Sequence, residues 1–342
     1  MGRRTALAEV NCAVLGLGRV GWHHAETIAT KIPGARLAAV VDPDTERLAK
    51  FAAKYGTPGI QRFEDVMDDP LIDAVVIASP TPTHIALASA AAAAGKGIFC
   101  EKPVSLRLGD YDQLIETINR SRVYMQVGYM RRFDPGYQMA KSIIEAGGIG
   151  EVIAFNGITR DNGAPPPDFI AQSGGMYLDV LIHEFDIARF LGGQPITRVY
   201  ARGKDVMYGT FRPYDDADHA YVIVDFANGA LGQVEGSRCA VYGHDVRAEI
   251  IGTRGTLQVG YLQQTPVLHL IPHQVQHDTL PGFIERFGNA YEEELREFIQ
   301  RVQTEAPSPV TLEEARPALL AALAATKSHQ TDKPVTLASL ES

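Results

Sequence analysis

Residues 12–21 read CAVLGLGRVG, and their order decides the fold of the first part of the chain. Cys12–Leu15 is a short apolar run with the length and character of a buried strand. Gly16-Leu17-Gly18-Arg19-Val20-Gly21 then turns the chain and opens a helix through His23–Ile28. In such a strand–turn–helix the first glycine permits the tight turn. The second lets a pyrophosphate approach the backbone, and the third lets helix and strand pack closely. The helix N-terminus offers free amide groups and a positive partial charge to an anion. The glycine pattern alone is weak evidence. It gains weight from Asp42, which ends the next apolar run 21 residues beyond Gly21, where an acid holds the ribose hydroxyls of a dinucleotide. The Asp42 carboxylate repels a 2′-phosphate, and Pro43 and Asp44 bring no compensating charge. Arg19 or Arg47 would have to reach around, so NAD is expected and NADP disfavoured.

Outward from this stretch the same rhythm continues. Apolar runs at Leu37–Val41, Ala74–Ala78, Ile98–Cys100 and Tyr124–Val127 alternate with helical stretches at Thr45–Tyr55, His84–Ala94 and Leu108–Arg120. Such alternation predicts right-handed crossovers and a doubly wound parallel sheet, a Rossmann-type α/β domain. The pattern changes near residue 130. Strand-like segments follow at 152–159, 199–203, 221–226, 230–237, 248–252 and 256–259, joined by turns such as Ala227-Asn228-Gly229 and Thr253-Arg254-Gly255. Helices are expected at 283–304 and 312–330. The expectation is an NAD-binding domain over 1–130 and an α+β domain over 131–342 with an open, mainly antiparallel sheet.

Composition sets the remaining bounds. A chain of 342 residues with 45% hydrophobic content suits a two-domain globular protein. No apolar run approaches the about 18 residues that span a membrane. The first residues, MGRRTALAEVN, lack the apolar core of a signal peptide, and a cytoplasmic location is expected. A net charge of −9 with scattered acids disfavours an extended nucleic-acid surface. The three cysteines, Cys12, Cys100 and Cys239, form neither a disulfide framework nor a metal pair.

The most informative stretch for chemistry is Met176–Gly192, MYLDVLIHEFDIARFLG. It reads as one helix apolar nearly all round, hence buried. Asp179, His183 and Asp186 lie on it at i, i+4 and i+7, on one face. Buried carboxylates are costly unless paired or used. An acid and a histidine one turn apart point to proton transfer. Cys100-Glu101-Lys102-Pro103 ends another strand, and parallel sheets bind ligands at the carboxyl ends of their strands, so Lys102 is expected near the reacting end of the cofactor.

The combination of GLGRVG, Asp42, SPTPTH (Ser79 to His84), EKP and a later DxxxH resembles the Gfo/Idh/MocA oxidoreductase family, over essentially the whole chain. Segments 128–137, 164–193 and 283–295 are similar to its inositol 2-dehydrogenase branch. The resemblance implies that Lys102, Asp179 and His183 form a catalytic trio for oxidation of a secondary alcohol of a cyclic polyol. Myo-inositol going to 2-keto-myo-inositol is the first expectation; scyllo-inositol, a pyranose sugar or a non-catalytic sugar sensor are the alternatives. A histidine suits the general base at neutral pH. Lys102 can steady negative charge on the same oxygen. Cofactor contacts are expected from Gly16, Leu17, Gly18, Arg19, Val20, Asp42, Ser79, Thr81, His84, Glu101 and Lys102, with His84 alternatively just opening its helix. Substrate contacts are expected from Lys102, Arg131, Asp161, Asp179, His183, Asp186 and Tyr242. A homotetramer built through the open sheets is the assembly the resemblance implies.

No metal site is expected. His183-Glu184 begins like HExxH, but residue 187 is Ile. His269, His273 and His277 recur every four residues, yet Pro272 argues against a helix that would align them. No chemistry is assigned to His23-His24.

Overall fold

The structure, a computed structural model, describes residues 8–341 and divides into two compact units. In the first, strands β1 (Val10–Leu15), β2 (Ala35–Val41), β3 (Gly59–Ile60), β4 (Ala74–Ile77), β5 (Gly97–Glu101) and β6 (Met125–Gly128) form one sheet in the order β3-β2-β1-β4-β5-β6. Every neighbouring pair is parallel. The crossovers carry helices α1 (Arg19–Thr30), α2 (Thr45–Tyr55), α3 (Phe63–Met67), α4 (His84–Ala93) and α5 (Leu108–Ser121). Strand order reverses between β1 and β4, the place where such sheets bind ligands. The strands are apolar on both faces because both are covered, and β4 is wholly buried. Local chemistry sets the helix ends. Asp44 caps α2 by accepting from the amides of Glu46 and Arg47, and Gly56 ends it in the left-handed region at φ 71°.

The second unit opens with α6 (Pro135–Glu145), capped by Asp134 with Pro135 in the first turn. Strand β7 (Val152–Arg160) leads into three helices, α7 (Pro167–Ser173), α8 (Gly175–Asp179) and α9 (Ile182–Gly192). Strands β8 (Ile196–Lys204), β9 (His219–Phe226), β10 (Leu231–Ser237), β11 (Asp245–Gly252) and β12 (Thr256–Val259) follow. A small hairpin, β13 (His269–Ile271) and β14 (Gln274–Gln276), stands apart from them, and β15 (Val335–Thr336) closes the large sheet. That sheet runs β12-β11-β7-β10-β9-β8-β15, antiparallel except for β7 against β10. One face buries Phe155, Ala201, Val222, Val224, Val234 and Ile250. The other shows Tyr221, Ile223 and Leu231 to solvent. Of the three spaced histidines, His269 begins β13, His273 sits in the hairpin turn at φ 64° and His277 follows β14 directly.

Two features differ from the sequence reading. First, the chain returns: Tyr291–Arg316 belongs to the first unit, so the second is not one continuous segment. The cause is the amphipathic helix α10 (Phe283–Thr304). Its Leu295, Phe298 and Ile299 sit in one apolar cluster with Val14, Leu37, Phe51 and Phe99, and Val302 packs against it. Helix α11 (Leu312–Thr331) starts in the first unit, where Arg316 grips Asp112 at 2.7 and 3.1 Å.

Second, the single helix expected over 176–192 is broken. The amides of Val180 and Leu181 both turn to the Met176 carbonyl, at 3.1 and 2.9 Å. This wider closure ends α8 and shifts the phase of α9. Asp216 holds the start of α8 by accepting from the Met176 amide at 2.8 Å. Asp179 and His183 therefore end one helix and begin the next, instead of sharing the face of a regular helix. Among the described residues, no helix is long and apolar enough to cross a membrane.

Phe298, fully buried between Phe99 and Tyr124 with ring centroids 5.7 Å from each, tests the return of the chain. Phe298→Ala is expected to destabilise the first unit by about 3–5 kcal/mol in urea unfolding. A loss below about 1 kcal/mol would mean that α10 is peripheral to that core.

Candidate active site

The cofactor half is built at the β1–α1 turn. Gly16 has φ +96°, and a Cβ there would lie 2.6 Å from the Ser79 Cα. A Cβ on Gly21 would lie 1.8 Å from the Gly16 carbonyl oxygen, so only glycine lets α1 approach the strand. Gly18 caps α1 and has open space where a side chain would be. Asp42 fixes the turn from across the sheet. Its Oδ2 accepts from the Leu17 amide at 2.7 Å and its Oδ1 from the Asp44 amide at 2.9 Å. Arg47 binds both oxygens of Asp42, at 3.2 and 3.0 Å, and also pairs with Asp44 at 3.2 Å. A bare helix N-terminus beside an acid at the end of β2 fits an adenine dinucleotide. Arg19 and Val20 form the first turn of α1. Ser79 lies 2.6 Å from the Thr83 hydroxyl at the head of β4, and Thr81 begins the short turn that follows.

Two residues expected to touch cofactor face inward. His84 is 1% exposed, and its ring nitrogens lie 2.9 Å from the Pro103 carbonyl and 2.8 Å from that of Ser79. It ties the SPTPTH loop to the EKP loop. Burial lowers its pKa against the pull of those two carbonyls. Glu101 is buried, with one oxygen at His24 and the other on the Lys102 amide. Lys102 itself is half-buried just beyond β5, with a cis peptide to Pro103.

In the second unit, Asp161 and Asp179 are drawn together by a residue that the sequence reading passed over. Arg238, 4% exposed, donates to Asp179 Oδ2 at 2.7 Å and to Asp161 Oδ2 at 3.4 Å. His244 Nδ1 stands 3.1 Å from Asp161 Oδ1. Burial pushes the Asp161 carboxyl up, but the His244 bond and the charges of Arg238 and Arg131 outweigh it, and its pKa is lowered. Burial likewise opposes the charge on Arg238, and Asp179 and Asp161 more than restore it. Asp161 follows β7, Asp179 ends α8 and Arg238 follows β10, so strand ends and a helix end converge. His183 sits in the first turn of α9 with 7% exposure.

Three other expected substrate contacts are engaged elsewhere. Asp186 is fully buried, and Arg132 grips its two oxygens at 2.9 and 2.6 Å. Arg131 is buried against Glu184 and Thr159. Both charges are consumed by pairs inside the fold and present nothing to a ligand. Tyr242 keeps some exposure, but its hydroxyl accepts from Arg160 at 3.0 Å and donates to Asp245 at 2.9 Å. Sequence offered a signal for these pairs: RRFD at 131–134 and HEFD at 183–186 are complementary in charge. For Arg238 the signal was a lone cation directly after an expected strand.

Comparison with known proteins places the chain in a family. The family profile described as "Oxidoreductase family, NAD-binding Rossmann fold" matches residues 10–129, and "Oxidoreductase family, C-terminal alpha/beta domain" matches 141–337. The fold and site define a nicotinamide-dependent oxidoreductase, and the chain belongs to the Gfo/Idh/MocA family. It is 43% identical over 333 residues to the scyllo-inositol 2-dehydrogenase (NAD(+)) of Bacillus subtilis (strain 168), covering 96% of each chain. It is 38% identical to the myo-inositol 2-dehydrogenase of Thermotoga maritima, covering 95% of this chain and 97% of that one. Scyllo-inositol dehydrogenase from Lactobacillus casei, solved with NAD(H) and scyllo-inositol bound, superposes with a TM-score of 0.92 at 29% identity, over 96% of this chain and 99% of that one.

Arg238→Ala removes the cation shared by Asp161 and Asp179. It is expected to lower kcat/KM about 10²-fold through misplacement of Asp179, with NAD affinity unchanged. A loss below threefold would dismiss Arg238 as the organiser. The same network shapes acid stability. A carboxylate whose folded pKa is lowered stabilises above its unfolded value, near 3.8, and that contribution is lost as pH falls through the folded one. Asp161→Asn should therefore flatten the fall in Tm below about pH 4.

Proposed function

We propose that this protein is an NAD-dependent inositol 2-dehydrogenase that oxidises one secondary hydroxyl of the ring to the ketone. The observation that carries the reading is the Asp161–Arg238–Asp179 assembly, with Asp179 four residues before the buried His183, in a chain that aligns end to end with inositol dehydrogenases. Bound NAD supplies the hydride acceptor. His183 takes the hydroxyl proton, the work for which an imidazole is suited at neutral pH. Lys102 hydrogen-bonds the same oxygen and stabilises its growing negative charge. Asp179, fixed by Arg238, orients this machinery. Asp161, with a half-shielded carboxylate, is an acceptor for a neighbouring ring hydroxyl.

NAD is favoured over NADP because Asp42 is negative and Arg47 is already shared between two carboxylates. Myo-inositol, the first expectation, shares the field with scyllo-inositol, for which the 43% identical relative is named. Oxidation at the carbon where the two isomers differ gives one ketone from both, so the chemistry is common to them.

Initial rates of NADH formation with myo-, scyllo- and D-chiro-inositol and D-glucose test the reading, with NADP run in parallel. An inositol should be the best substrate and NAD the better acceptor. His183→Ala should lose about 10²- to 10⁴-fold in kcat. NAD binding without turnover of any inositol, or full activity in the variant, would sink it.

The assembly is proposed to be a tetramer through the open sheet face, where Tyr221, Ile223 and Leu231 are 44%, 43% and 58% exposed. Light scattering should give four chain masses, and Ile223→Glu with Leu231→Glu should lower it. A monomeric wild type would refute this face as an interface.

A further inference from the structure

Three titratable side chains converge next to Lys102 inside the first unit: His24 from α1, Glu101 from β5 and Glu294 from α10. All are buried, and their ligating atoms lie within 4.8 Å of one another. Glu101 Oε1 is 2.8 Å from His24 Nε2, so that nitrogen carries the proton of the bond. Glu101 Oε2 accepts from the backbone amide of Lys102 at 3.2 Å. Both oxygens of Glu294 and the Nδ1 of His24 are enclosed without a protein partner. Rings line the chamber, with Phe99 5.4 Å and Tyr291 5.6 Å from His24.

Such a cluster is expensive, since each buried polar group without a partner costs stability. Packing alone would be served better by apolar residues. What the cluster does achieve is to hold the peptide unit from which Lys102 leaves the sheet.

We propose that Glu101 is a positioning residue for Lys102, clamped by His24 on one oxygen and holding the Lys102 amide with the other, and that Glu294 seals the chamber behind it. This rests on the role given to Lys102 above. Burial first, and then the nearby Glu101 carboxylate, push the Glu294 carboxyl far above the ordinary range. That shift favours the protonated form of Glu294. Glu101 and His24 share the chamber with it, and Tyr291 meets both His24 and His23, with ring centroids 5.6 and 5.5 Å apart. Burial and the neighbouring His24 hold His23 down at about 4.

The test is steady-state kinetics on the intact enzyme, with NAD affinity measured separately by fluorescence. Glu101→Ala is expected to lose at least about tenfold in kcat, with the NAD dissociation constant within about twofold, because a misplaced catalytic group costs rate before it costs binding. Glu101→Gln, whose carbonyl oxygen still accepts from the Lys102 amide and whose NH2 donates to His24 Nε2 once the ring proton moves to Nδ1, should recover most of the loss, and it carries the test if the alanine variant does not fold. His24→Gln should fall between them. If Lys102→Ala is inactive while Glu101→Ala and His24→Gln match wild type, the proposal alone falls. If Lys102→Ala is itself active, the role of Lys102 falls and takes the proposal with it. One equivalent of divalent metal in the purified protein, lost on Glu294→Gln, would overturn it by making the cluster a metal site.

Glu294 has its own readout. A carboxyl whose folded pKa is raised stabilises below its unfolded value of 4.5, and that contribution drains away as pH rises. Glu294→Gln should therefore raise Tm more at pH 9 than at pH 5. An equal change at both would show that Glu294 is not held neutral.

Discussion

A guanidinium almost closed to solvent, that of Arg238, brings the polar residues of the second unit together. It follows β10, and it reaches Asp161 after β7 and Asp179 at the end of α8. Removing either side of such a buried pair leaves a charge that the interior cannot solvate. The sheet register, the short helix and the loop around Asp216 must therefore all deliver their ends to the same place. Asp216 takes part by capping α8, and Gly175 leaves it room: a Cβ there would sit 2.8 Å from an Asp216 oxygen.

The same constraint organises the layer beneath. Arg131 with Glu184, Arg132 with Asp186, and Arg286 with Asp134 at 2.7 Å are three buried ion pairs linking the segment before α6 to α9 and α10. Pairs of this kind add little net stability but are costly to break from one side. They fix the rotation of α9, and with it the direction in which His183 leaves the helix. The first unit follows the same logic in a smaller compass, where Asp42 satisfies the amides of the turn and Glu101 that of Lys102.

Much of this was legible in the chain. The glycine spacing of 16–21, Asp42 and the alternation of strands and helices lead to one sheet topology, because each glycine meets a stated steric demand. Turn residues such as Asn228-Gly229 announce the antiparallel strands. The polar residues of 176–192 were visible as candidates, but partner and ligand are not distinguishable from one element. Asp186 and Asp179 look alike on that stretch. They differ because Arg132 reaches one from within the fold, whereas the other meets Arg238.

Sequence by itself determined the elements, the nucleotide-binding turn and the set of residues able to carry acid–base chemistry, since these follow from local sterics and hydrophobic period. Tertiary structure alone decided the broken helix between Asp179 and His183, the return of 291–316 to the first core, and which buried charges are spent on one another. Those outcomes depend on contacts between residues far apart in the chain, such as the 59 positions separating Arg238 from Asp179. No local pattern encodes the distance at which such partners meet.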